Sequence, residues 1–225
     1  MIWKGDSSRR VRIPVDRTEV EAELEFPEWP LGIVVFAHGS GSSRRSPRNR
    51  HVARMLREAG LATALVDLLT ADEDRHESRR FDIPFLAERV GGITGWIRDA
   101  VAPSELRVGV FGASTGAAAA LRASADGAGE VAAIVSRGGR PDLAGDALER
   151  VEAPTLLIVG SDDEPVTSFN LTAYAGLRAP KEITIIPGAT HLFEEPGALD
   201  RVARLAADWF CRFLPVNPPE EPAGQ

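Results

Sequence analysis

The chain predicts an α/β fold: a mostly parallel sheet with antiparallel N-terminal strands, helices on both faces and no cap domain. Three observations carry that expectation. Val20, Ala22, Leu24 and Phe26 alternate with Glu19, Glu21, Glu23 and Glu25, the period of a strand with one wet face. From Gly32 onward the apolar runs become continuous and are separated by helical stretches, as in a parallel sheet covered on both faces. Gly112-Ala113-Ser114-Thr115-Gly116 then falls between a buried-strand run and a run of small residues, the junction at which a serine is placed on a sharp strand-to-helix turn.

Each element follows from local pattern. Val11 to Val15 pairs with the alternating strand as a hairpin. Buried-strand runs lie near 32–37, 61–66, 106–111, 131–135, 155–159 and 183–186. Helices span 47–59, 83–100 and 198–214, and in the last of these Leu199, Val202, Ala206, Trp209, Phe210 and Phe213 form one apolar stripe. Only residues 136–154 separate the strand after the serine turn from the next one, room for one short helix. The site is therefore expected to be open, covered at most by the charged loop 71–82, which suits small or polar acyl groups. There is no internal repeat, so 1–214 reads as a single domain and 215–225, rich in Pro and Glu, as a disordered tail.

Composition bounds the function. A chain of 225 residues buries about 70–75% of its unfolded surface without disulfide or metal. The net charge of −7 argues against nucleic acid or an anionic membrane as a partner. Cys211 is the single cysteine, so no intramolecular disulfide forms, and it reads as a packing residue in the last helix. Residues 1–6 lack a signal-peptide core and no apolar run is long enough to span a bilayer; the cytoplasm is the expected compartment. No histidine–carboxylate cluster has ligand spacing, so neither metal nor cofactor is expected. Oligomeric state is not legible.

A serine hydroxyl is a poor nucleophile unless a base takes its proton and a third group orients that base. After such a turn the partners follow in the order acid, then histidine. Asp162, Asp163 and Glu164 lie just past the run 155–159, and His191 just past 183–186. All three groups thus fall at carboxyl ends of strands, where open α/β sheets build their sites. His51 and His76 lie in charged segments. His38 follows a strand, but it opens the glycine-flanked turn His38-Gly39-Ser40-Gly41. That turn reads as half of an oxyanion hole, with N–H groups from Ser40 and from Thr115, the residue after the serine. His191 is therefore the expected base and His38 a loop-structuring residue. Physics alone does not separate Asp162 from Asp163.

These residues resemble the α/β-hydrolase superfamily and, within it, the dienelactone-hydrolase-like group. The most specific stretches are FAHGSGSSRRSPRNR, GVFGASTG, VSRGGRPDL, PTLLIVGSDDEPV and GATHLFEEPGAL. The resemblance implies a hydrolase with Ser114, Asp163 and His191 as its triad, and it favours Asp163 over Asp162. Dienelactone hydrolases carry a cysteine nucleophile where this chain has serine, so the resemblance points to an esterase-like activity on small esters or lactones. Thioester cleavage and acyl transfer use the same machinery, and some proteins of this fold bind ligands without catalysis.

Arginine placement is the remaining oddity. Arg44, Arg45, Arg48 and Arg50 surround a helix start, with Ser46 as N-cap and Pro47 at the first position, although helix starts favour carboxylates. Arg137 leaves the neighbouring strand at the same sheet edge. Either these arginines pair with the chain's own acids, such as Asp67, Asp82 or Asp142, or Arg137 and one of Arg44, Arg45 and Arg48 clamp a substrate carboxylate. The family's own carboxylate-binding arginines do not map by motif onto this chain.

Overall fold

The computed structural model describes residues 7–101 and 106–215. The expected tail lies outside these from residue 216 onward, as does the amino-terminal segment 1–6. Strands β1 (Ser7–Val15) and β2 (Thr18–Phe26) form the predicted hairpin, with Ile13 opposite Val20 and Val11 opposite Ala22. The chain continues through β3 (Ile33–Ala37), α1 (Pro47–Glu58), β4 (Ala62–Val66), α2 (Glu77–Arg80), α3 (Ile83–Trp96) and β5 (Val108–Ala113). It then forms α4 (Thr115–Ala125), β6 (Ala133–Arg137), β7 (Thr155–Gly160), α5 (Val166–Gly176), β8 (Lys181–Ile186) and α6 (Ala198–Phe213). The sheet has eight strands in the order β1-β2-β4-β3-β5-β6-β7-β8. The hairpin joins it antiparallel, Ala22 facing Val66, and every later pair is parallel.

Alternation along the central strands builds a core on each face. Val35, Val110, Ile134 and Leu157 pack with Val90 and Ile93 of α3 and Ala118 and Leu121 of α4. Phe36, Phe111, Val135 and Ile158 pack on the other face with Leu56 of α1 and Val202, Ala206 and Phe210 of α6. The Phe36 and Phe111 rings lie 5.0 Å apart between centroids, and full burial of one such side chain contributes about 1.5–3 kcal/mol.

Two strands run further toward the site than their apolar patterns indicate. Ladder pairing carries β5 to Ala113 and β6 to Arg137, with Ala113 opposite Arg137, so Arg137 ends a strand and does not begin a loop. The helix expected to residue 100 stops at Trp96 and widens into a π-type turn, Ile97–Val101, which keeps Ile97 and Val101 buried. The connection 136–154 carries a 3₁₀ segment, Pro141–Arg150, broken at Gly145 (φ 58°). No cap is inserted there. Among the described residues no helix is long and apolar enough to cross a membrane.

Candidate active site

The strand-to-helix turn is built as its sequence predicts. Ser114 has φ 51° and ψ −121°, a sparsely populated region that costs about 1–3 kcal/mol. The surroundings hold it there: the Ser114 N–H donates to the Arg137 carbonyl (3.4 Å), and the Ser114 carbonyl accepts from Ala117 and Arg140 (3.1 Å each). The flanking glycines are demanded by close approach. A Cβ on Gly116 would stand 2.2 Å from the Ala37 carbonyl oxygen, and one on Gly112 would stand 2.5 Å from Ala117 Cα. The turn after β3 lies against the serine, since a Cβ on Gly39 would be 3.6 Å from Ser114 Oγ.

Asp163 and His191 meet at the ends of β7 and β8. Asp163 Oδ2 is 2.8 Å from His191 Nδ1, and Asp163 is buried. Asp162 is exposed and its Oδ1 accepts from the Ser161 hydroxyl at 2.8 Å. Geometry thus separates two aspartates that residue type alone could not. The histidine loop is tied by Glu195, whose Oε1 accepts from the Thr190 N–H (3.1 Å) and hydroxyl (2.6 Å). The donated hydroxyl holds the Glu195 carboxyl below the usual range. Phe193, fully buried, anchors the same loop from beneath. The Ser114 N–H is bonded to the end of β6, and the next residue there, Gly138, lies against the histidine: a Cβ on it would be 3.4 Å from His191 Nδ1. Among the described residues Ser114 Oγ and His191 are not hydrogen bonded; such contacts commonly tighten only with substrate in place.

His38 has the structuring position expected of it. Its Nε2 accepts from the Leu68 N–H (3.0 Å) and its Nδ1 donates to the Gly39 carbonyl (2.9 Å), an arrangement that requires the neutral ring. Burial lowers its pKa from 6.5, with the Gly39 hydrogen bond opposing. The unfolded chain therefore takes up this proton first, so stability is complete above about pH 6.5 and falls as pH drops below it. Thermal melts across that acidic window are expected to show a shallower loss for His38→Gln, and an unchanged slope would clear His38 of the effect. Ser40 and Thr115 lie side by side: the Ser40 N–H donates to Thr115 Oγ1 at 3.0 Å. No sequence pattern marks that hydroxyl partner. A concavity of about 630 Å³ lies beyond this turn among Arg12, Glu21, Arg44 and Asp67, and Ser114 is not one of the residues lining it.

The arginines divide. Arg44 is held by Asp67 and Glu21, so its charge is met by the chain's own acids, as one of the two readings of the sequence has it. Arg48 takes Glu194 at 2.9 Å and Arg140 takes Asp142 at 2.7 Å. Ser46 caps α1, accepting from Asn49. Arg137 is buried beside the site and ion-pairs with no acid among the described residues. Sequence reading also passed over Asn170, fully buried on α5, whose amide donates to the Gly139 and Val166 carbonyls. No motif marks it. Among the described residues no three His, Cys, Asp or Glu side chains gather as a metal site.

The sequence pattern of the dienelactone hydrolase family matches residues 20–214. The chain belongs to that family. A solved dienelactone hydrolase from Anabaena variabilis is 52% identical, with a TM-score of 0.89 over 93% of this chain and 99% of that one. The esterase Est1E from Butyrivibrio proteoclasticus shares 15% identity at a TM-score of 0.76, covering 90% of this chain and 98% of its own, a likeness of fold. Two curated relatives from Mycobacterium tuberculosis, provisionally named phosphoribosyl transferases, are 56% identical over 204 residues, 91% of this chain and 46% of theirs. The chain spans about half the length of these relatives.

Proposed function

We propose that the protein is a serine hydrolase cleaving small ester or lactone bonds through an acyl-enzyme. The observation that carries this reading is the 2.8 Å contact from Asp163 to His191 Nδ1, set beside a serine on a strained turn. Donation from Nδ1 to Asp163 leaves Nε2 free to take the Ser114 proton. Ser114 Oγ then attacks the carbonyl carbon, and the imidazolium returns its proton to the leaving alkoxide. Water, activated by the same nitrogen, cleaves the acyl-enzyme. The oxyanion is met by the N–H groups of Thr115 and Ser40. Thr115 opens α4, whose first N–H groups have no helical acceptor; the substrate oxygen would replace Thr115 Oγ1 as acceptor for Ser40. Protein groups supply all of this chemistry. We place the enzyme in the cytoplasm, acting on a small molecule and with no nucleic acid or membrane as partner.

The uncapped 136–154 connection supports a preference for short acyl chains. On a p-nitrophenyl ester series, kcat/KM is expected to peak between acetate and butyrate and to fall about tenfold or more for long fatty acyl esters, as chain beyond the site adds no contact. No hydrolysis of any member would sink the hydrolase reading, and a rise toward long chains would sink the open site.

A further inference from the structure

The segment 136–140 lies between the serine turn and the histidine loop. The Arg137 carbonyl accepts from the Ser114 N–H at 3.4 Å, and the Arg140 N–H donates to the Ser114 carbonyl at 3.1 Å. Gly138, at φ 49°, lies against the histidine loop: a Cβ there would stand 3.1 Å from the His191 carbonyl oxygen and 3.3 Å from the Phe193 ring. Gly139 presses on the start of α4, where a Cβ would stand 2.7 Å from Ala117 Cβ. One short stretch of backbone thus touches both the nucleophile and the base.

Two adjacent glycines give that backbone little stiffness of its own, so its position depends on bonds from outside. The Gly138 N–H donates to the Ile158 carbonyl at 2.8 Å, which ties the segment to β7. The Gly139 carbonyl is met by Asn170 of α5, whose amide nitrogen donates to it at 3.0 Å and to the Val166 carbonyl at 2.8 Å. Asn170 is fully buried, and its Oδ1 has no partner among the described residues. An asparagine inside a helix and a buried acceptor left unmet both oppose folding, so packing does not account for this residue. Its donor does. Three residues earlier, the Thr167 hydroxyl donates to the Gly160 carbonyl at 2.8 Å and its N–H to the Asp163 carbonyl at 2.9 Å. The helix α5 therefore holds the loop of Asp163 through Thr167 and the segment 136–140 through Asn170.

We propose that Asn170 is a positioning residue for the reaction: by holding the Gly139 carbonyl it fixes the segment that sets Ser114 against His191. This rests on the hydrolase reading of the site. On p-nitrophenyl acetate, Asn170→Leu should lower kcat by about 10- to 100-fold with KM within about threefold of the parent, because a small misalignment of reacting groups is felt in the chemical step and not in binding. Asn170→Ser can keep the bond to the Val166 carbonyl but is too short to reach Gly139. It should show the same loss, and it carries the test should the leucine variant not fold.

Two readouts separate positioning from mere stability. The acid limb of kcat/KM against pH, which reports His191, should stay in place, since Asn170 does not touch the Asp163–His191 contact. The rate of labelling by a fluorophosphonate should fall in proportion to kcat. Ala173→Gly is the control: it alters a buried position of the same helix, lowers Tm through helix propensity, and should leave kcat unchanged. An equal loss of kcat in Ala173→Gly would make Asn170 a structural residue and overturn the proposal, as would an unchanged kcat in the Asn170 variants. A displaced acid limb would put the effect on the Asp163–His191 contact and overturn it equally. A parent that reacts with the fluorophosphonate but hydrolyses no ester would sink the hydrolase reading, while slower labelling of Asn170→Leu would still uphold the positioning role.

Discussion

Ser114→Ala and His191→Ala are each expected to lower kcat on a short-chain ester by about 10⁴-fold, a loss of roughly 5.5 kcal/mol of transition-state stabilisation. The two changes should not add, since nucleophile and base act as one unit and the double variant loses little more than either alone. The fold should be intact in both. Ser114 makes its structural contacts through its backbone N–H and carbonyl, which alanine retains, although alanine keeps the positive φ without the serine side chain. His191 is partly exposed, at 39% of its side chain, so truncation opens no core cavity. A fluorophosphonate probe should label the parent and leave Ser114→Ala unlabelled. Near-normal turnover in Ser114→Ala would end the assignment, whatever the other variants did.

What the sequence made legible is what local pattern encodes. Continuous apolar runs located the parallel strands, the Glu alternation of β2 located the wet face, and glycines around Ser114 located the turn, because at Gly112 and Gly116 only a missing Cβ fits. The strand ends were missed by about a turn of chain: Ser136 and Arg137 are polar and break the apolar run, yet the ladder to β5 and β7 holds them extended. Charge pairing was legible only as a set of alternatives. Arg44 reaches Asp67 across 23 residues and Arg48 reaches Glu194 across 146, distances over which no periodicity operates. That Arg137 meets no such acid is likewise a property of the packed sheet edge, visible only once every neighbour is in place.

Asp163→Asn should cost far more than Asp162→Asn, and the structure gives the reason in two parts. Asp163 is buried and its Oδ2 lies 2.8 Å from His191 Nδ1. An asparagine there can turn its amide nitrogen toward the ring, which then has to accept at Nδ1 and carry its proton at Nε2, the atom that must receive the serine proton. The imidazolium that forms during attack also loses its counter-charge. Together these effects are expected to lower kcat by about 10³–10⁴-fold with the geometry preserved. Asp162 is exposed, and its carboxylate is engaged by the Ser161 hydroxyl, while its backbone N–H donates to the Ala189 carbonyl at 3.0 Å. Asp162→Asn keeps that backbone bond and an acceptor for Ser161, so its kcat should stay within about threefold of the parent, the scale of a surface substitution. The two variants share one turn and one change of charge, which makes their ratio insensitive to net electrostatics. Equal losses would show that the turn as a whole positions His191, and the reverse order would move the orienting acid to Asp162.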